Sequence, residues 1–128
     1  MKSNMVETKT SQIWLDAEGI LWVRLLPRAI LTLPEAEKNT AIMQKLADGI
    51  KRPVLTDMRQ IGGITREARQ YSAGEAVQQV NRALAMHVYS PFTRSLGNLW
   101  LGINKPAFPS KMFISEEEAI AWLKGFLD

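Results

Sequence analysis

Two short apolar runs open the folded part of the chain. Ile13-Trp14-Leu15 and the stretch from Ile20 to Leu26 are rich in β-branched, aromatic and large aliphatic residues, and they flank Asp16-Ala17-Glu18-Gly19, a loop with a turn-forming glycine. Residues of this kind fit a pleated, half-buried surface, so the pattern predicts a β-hairpin. Alternation normally leaves one face of a hairpin polar, yet here both faces are apolar. That surplus calls for cover beyond a single layer of helices. Thr32-Leu33-Pro34-Glu35 has the form of a capping box, in which the threonine takes an amide proton and the glutamate reaches back. It predicts a helix carrying Ile42, Met43, Leu46, Ala47 and Ile50 on one stripe and ending at Gly49.

Pro53 to Met58 is a short apolar run with a polar tip, the pattern of a buried strand whose end meets solvent. Arg59 to Ile64, with Gly62-Gly63, reads as a loop, and Thr65-Arg66-Glu67-Ala68-Arg69 starts a polar helix. Ser72-Ala73-Gly74-Glu75 has the form of a second capping box, which divides the stretch to Asn81 into two short helical pieces. Ala83 to Tyr89 is apolar on both faces and predicts an interior strand. Ser90-Pro91 starts a helix, with Phe92, Leu96, Leu99, Trp100 and Ile103 at helical spacing and Asn104-Lys105-Pro106 at its end. Lys111 to Ile114 gives a last strand, and Ser115-Glu116-Glu117-Glu118 caps a final helix through Ala119, Ile120, Leu123 and Phe126. The order is β-β-α-β-α-β-α-β-α: an α/β domain with a mixed sheet and parallel crossovers. Residues 1–10 are polar and are set aside as a flexible segment before a single domain over 11–128.

Composition narrows the chemistry. The chain has no cysteine, which removes disulfides, thiolate nucleophiles and thiolate metal sites and fits a reducing, cytoplasmic setting. No apolar run approaches the roughly 20 residues of a membrane span. Sixteen basic residues against thirteen acidic ones give a net charge of +3, and the basic residues are scattered, so neither a basic run nor an aromatic platform argues for nucleic acid.

The apolar strand ending in Thr56-Asp57-Met58, then a loop, then a helix led by Thr65, resembles the STAS fold of anti-sigma-factor antagonists. The resemblance is closer to the SpoIIAA-like proteins grouped with STAS and CRAL-TRIO domains. Asp57-Met58-Arg59 with Gly63 to Arg69, Ser90-Pro91 to Pro106, and Phe113 to Leu123 carry it, and together these blocks span residues 13 to 126. It implies a STAS (SpoIIAA-like) mixed β-sheet. In the antagonists a serine at the start of this helix, inside an Asp-Ser-(Ser/Thr)-Gly motif, is phosphorylated to release a partner kinase. Thr65 carries over as a hydroxyl at the helix start, while the preceding Asp-Ser and the following glycine of that motif are absent here.

Each candidate residue has a structural explanation as well as a functional one. Thr65 suits a helix cap. Asp57, at the carboxyl end of a strand, occupies the kind of position where open α/β sheets place ligands, and an aspartate there also fixes the following loop. Arg59, Arg66 and Arg69 lie near it, but without phosphate-loop spacing. These five residues are the candidates for a partner-binding or regulatory surface. His87 is the only histidine and cannot build a histidine metal cluster. Ser90 and Ser95 lack the Gly-x-Ser-x-Gly context of a nucleophile, and the three glutamates at 116–118 answer the helix dipole. No catalytic set remains, and no cofactor or metal is expected.

Two roles follow. The first is a non-catalytic, STAS-like protein-interaction module with a regulatory role, its docking surface running from Asp57 to Arg69, and a homodimer anchored by Trp14 and Trp22 on the apolar hairpin. The alternative is a small-ligand or lipid carrier, which the CRAL-TRIO side of the resemblance implies. A carrier needs an enclosed apolar cavity of roughly 300 Å³ or more, and a docking module does not.

Overall fold

The computed structural model describes residues 4–91 and 106–127. Along the chain lie β1 (Val6–Glu7), β2 (Ser11–Leu15), β3 (Leu21–Leu25), β4 (Ile30–Leu31), α1 (Leu33–Ala47), β5 (Arg52–Asp57), β6 (Gly63–Ile64), α2 (Arg66–Ser72), α3 (Glu75–Gln78), β7 (Asn81–His87), β8 (Ser110–Phe113) and α4 (Glu116–Lys124). The helix expected through Phe92, Leu96, Leu99, Trp100 and Ile103, and Ser95 within it, lie outside the described residues.

Six strands form one mixed sheet in the order β1-β2-β3-β5-β7-β8. β1, β2 and β3 are antiparallel, and β3, β5, β7 and β8 run parallel, so the carboxyl ends of four strands share one edge of the fold. The expected mixed α/β sheet is therefore the observed one. Val6–Glu7 fall in the segment set aside as flexible, yet they extend the hairpin edge. The Asn4 amide, which accepts from the Leu15 amide and donates to its carbonyl, both at 3.1 Å, holds that edge in place.

The hairpin's double-sided apolar pattern is resolved by layering. Ile13, Leu21, Val23 and Leu25 point to one face, against Met43 and Ala47 of α1, together with Val54, Leu84, Met86 and Met112. Ile20, Leu55, Ala83, Ala85 and Phe113 point to the other, beneath Ala119 and Leu123 of α4. Trp22 packs on this second face, opposite Trp14 in the β2–β3 register. The two rings stack at 5.4 Å and 11°, with the Arg24 guanidinium 5.2 Å from the Trp14 ring. Trp14 is 4 % exposed. α1 covers the first of these faces of the hairpin, while Trp22 remains only partly buried on the second. Trp14 is a buried residue, and Trp22 is a partly buried one beside it.

Local details correct other expectations. Thr32 makes no side-chain cap on α1, where Pro34 has already removed a donor, and Glu35 instead accepts from Thr10 Oγ1 at 3.0 Å. The buried stripe of α1 is Ala36, Asn39, Thr40, Met43 and Ala47, with Asn39 donating to Ser11 Oγ at 2.9 Å. Ile50 is exposed because the helix ends at Asp48, which turns into the left-handed region at φ 57°. The second capping box does not form either. Ser72 Oγ donates back to the Ala68 carbonyl at 2.9 Å, and Gly74 begins α3. The third forms in part, with Ser115 Oγ accepting from the Glu118 amide at 3.2 Å.

A small parallel pair, β4 with β6, was not visible in the sequence pattern. It stitches the loop after β3 to the loop after β5 through Arg28 N to Gln60 O and Gly62 N to Ala29 O, both 2.8 Å. Gly62 has no room for a side chain, since a Cβ there would lie 2.6 Å from the Arg28 carbonyl oxygen.

Candidate functional site

The parallel strands alternate their side chains, so their shared carboxyl edge presents different chemistry on its two faces. On the α4 face, Asp57 follows Leu55 and His87 follows Ala85, and the two residues are register partners on adjacent strands. Asp57 is buried at 7 % exposure. Arg59 closes on it with Nε to Oδ1 at 3.0 Å and Nη2 to Oδ2 at 2.8 Å, and its backbone amide donates to Oδ1 at 3.1 Å. Arg24 approaches within 3.7 Å. Burial pushes the Asp57 carboxyl up, but the Arg59 side-chain and backbone hydrogen bonds, with the charges of Arg59 and His87, outweigh it and hold the group below the usual carboxylate range. The same hydrogen bonds hold the Arg59 guanidinium above its ordinary value.

His87 Nε2 lies 2.9 Å from the Ile114 carbonyl oxygen, which makes it the protonated nitrogen, and Nδ1 is buried without a partner among the described residues. This is a buried histidine held by one hydrogen bond. Asp57 and His87 are thus held by structural partners. A polar recess bounded by Gln12, Arg24, Asp57, Arg59 and Gln60 lies beside them, its carboxylate already matched by the arginines. Asp57 belongs to the interior and is withdrawn from the docking surface proposed from sequence. Its observed work is to fix the loop that Arg59 begins.

On the opposite face the same edge is apolar and hollow. Thr56 and Met58 at the end of β5, Met86 and Val88 at the end of β7, Leu25 of β3 and Met112 of β8 form the floor. Leu31, Ile61 and Ile64 of the β4–β6 pair and its approach form a wall. The cavity measures about 480 Å³, and it lies where open parallel sheets characteristically receive ligands. Polar groups are few, namely Thr56, Ser72, Arg59, Arg69 and the exposed Tyr89.

α2 supplies the rim. Its N-cap is Thr65, whose hydroxyl accepts from the Ala68 amide at 3.3 Å. Arg69, one turn on, donates Nη1 to the Ile64 carbonyl at 2.8 Å. Arg66 projects from the exposed side of the same helix. Of the five partner-surface candidates, Arg59 and Arg69 line the cavity, Thr65 caps the helix that borders it, Arg66 is exposed near it, and Asp57 is enclosed. Sequence reasoning missed the cavity floor, because Met58, Met86 and Met112 look like ordinary core positions.

No group of three or more potential metal ligands occurs among the described residues, and no helix among them is long and apolar enough to cross a membrane.

The mixed, mostly parallel sheet with its crossover helices makes this an α/β domain, and its fold is SpoIIAA-like. An uncharacterized protein of the DUF3478 family with a SpoIIAA-like fold, from Shewanella loihica PV-4, superposes with a TM-score of 0.61 over 93% of this chain and 90% of that chain at 15% identity. The chain belongs to the family described as Domain of unknown function (DUF7793), whose model matches residues 13–127. A protein of unknown function from Arthrobacter sp. FB24 aligns over 94% of this chain and 98% of that chain at 29% identity, with a TM-score of 0.33 that carries no argument about fold. No curated protein matches the chain.

Proposed function

We propose that the domain is a non-catalytic binding module for a small apolar ligand, held in the cavity at the carboxyl edge of its parallel strands. The observation that carries this reading is the cavity itself. At about 480 Å³ it falls in the range of small-molecule sites, roughly 300–1,000 Å³, and like them it is apolar with a few polar groups at one side. It has the volume and apolar lining that a carrier needs, although it opens to solvent at one side, and on that ground the carrier reading takes precedence over the protein-interaction reading.

A binding role, not an enzymatic one, is supported by how the polar edge is committed. Asp57 is engaged by Arg59 and His87 Nε2 by Ile114, so neither presents a free acid or base to the cavity. Protein docking would use Thr65, Arg66 and Arg69 without Asp57, and a homodimer on the hairpin would do without the buried Trp14 as an anchor. We place the domain in the cytoplasm on its lack of cysteine.

Native mass spectrometry of protein purified without detergent tests the reading. A one-to-one adduct of a small apolar molecule, removable by organic extraction and restored by adding an apolar probe, is the expected result. Ligand-free protein that accepts no apolar probe after extraction would overturn it.

A further inference from the structure

The polar groups at the cavity rim are unequal, and the inequality bears on what the ligand carries at its outer end. Arg59 has its Nε and Nη2 paired with Asp57, which balances its charge. Arg69 is exposed and makes a single hydrogen bond, from Nη1 to the Ile64 carbonyl, leaving most of its donors without a partner among the described residues. That one bond anchors the guanidinium to the backbone of β6, which is itself part of the cavity wall. No acidic residue lines the cavity among those described. An apolar slot whose mouth holds one anchored, uncompensated guanidinium is complementary to a chain that ends in a single negative charge.

Resting on the cavity reading above, we propose that the ligand is a single-chain amphiphile with a carboxylate head group, its tail against the methionine floor and its head on Arg69. Among the described residues that line the cavity, Arg69 is the one cation without an acidic partner, and one such cation matches a monoanion. Charge-assisted bonds from a guanidinium to a carboxylate are shorter and stronger than neutral ones, and the fork can engage both oxygens.

Three probes sharing one chain test the assignment: decanoate, decan-1-ol and decylamine, measured by displacement of a fluorescent apolar dye. Decanoate is expected to bind about tenfold more tightly than decan-1-ol, and decylamine more weakly than either. Arg69→Gln should bring decanoate to the affinity of decan-1-ol while leaving decan-1-ol unchanged. Lys38→Gln, which removes one exposed charge from α1 away from the cavity, should leave the tenfold preference intact. Thermal melts of both variants establish that they fold, and Arg69→Lys, which keeps the charge, should restore part of the preference if Arg69→Gln proves unstable. Equal binding of decanoate and decan-1-ol, or a preference that survives Arg69→Gln, would overturn the head-group assignment and leave the cavity reading standing. Failure of both probes to bind would overturn the two together.

Discussion

Arg59 grips Asp57 in a two-pronged pair, Nε to Oδ1 at 3.0 Å and Nη2 to Oδ2 at 2.8 Å, across a single intervening residue. The pair fixes the first step of the loop that leaves β5, and with it the direction in which Met58 enters the cavity.

The pair makes stability depend on acid. Asp57 titrates lower in the folded protein than its ordinary value, so the unfolded chain binds the proton first. The stabilisation is fully present above the unfolded carboxyl's pKa of about 3.9 and is lost as the pH falls through the lowered folded value. Asp57→Asn should cost about 1–2 kcal/mol at neutral pH, a range held down because Arg59 reaches solvent. It should also flatten the acid limb of the stability curve. Denaturant melts across a pH series measure both effects, and an unchanged acid limb would show that the pair is silent.

Gly62 is required for space. A Cβ at this position would sit 2.6 Å from the Arg28 carbonyl oxygen and 3.0 Å from Ile30 Cδ1, whereas one at Gly63 would meet Ile30 Cδ1 at an ordinary 3.6 Å. Gly62→Ala should therefore destabilise by about 1–3 kcal/mol through forced separation of the two loops, while Gly63→Ala should cost distinctly less. Equal effects in thermal melts would contradict the close approach.

Trp22 tests the single-chain account of the hairpin. Its ring stacks on Trp14 and its Nε1 donates to Asp16 Oδ2 at 2.9 Å, on an aspartate whose Oδ1 already holds the turn through the amides of Glu18, Gly19 and Ile20. Trp22→Phe should keep most of the stack and lose about 1 kcal/mol with the hydrogen bond. Trp22→Glu should destabilise the monomer, because it removes the stack on Trp14 and sets a carboxylate beside Asp16. A stable, folded Trp22→Glu monomer in sedimentation would instead return the residue to a surface role.

The architecture was legible wherever one element carried its own periodicity. The run into Asp57 and the apolar stretch to His87 declared buried strands, and Thr65 declared a helix start because a cap is a local interaction. The double-sided hairpin was legible as a fact, but its cover was not. What packs beside Trp22 depends on crossover geometry that brings residues about a hundred positions apart, such as Trp22 and Trp122, to one cluster. β4 and β6, at two residues each, are too short to show alternation. The cavity was illegible for a deeper reason. Met58, Met86 and Met112 satisfy every rule for core residues, and the space between them is a property of how β5, β7 and β8 meet the β4–β6 wall. Arg69 could be flagged as a basic residue near the loop, but its place on a rim could not.

Methionine distribution supplies the most direct test of the central claim. Met58, Met86 and Met112 line the cavity, Met43 lies on the buried face of α1, and Met5 is exposed on the N-terminal edge. Protein labelled at the methionine methyls and titrated with decan-1-ol, followed by NMR, should show saturable shifts at Met58, Met86 and Met112 while Met5 and Met43 stay in place. Shifts confined to Met5, or no saturable shift at the three cavity methionines, would contradict a ligand-binding cavity at the parallel edge of the sheet.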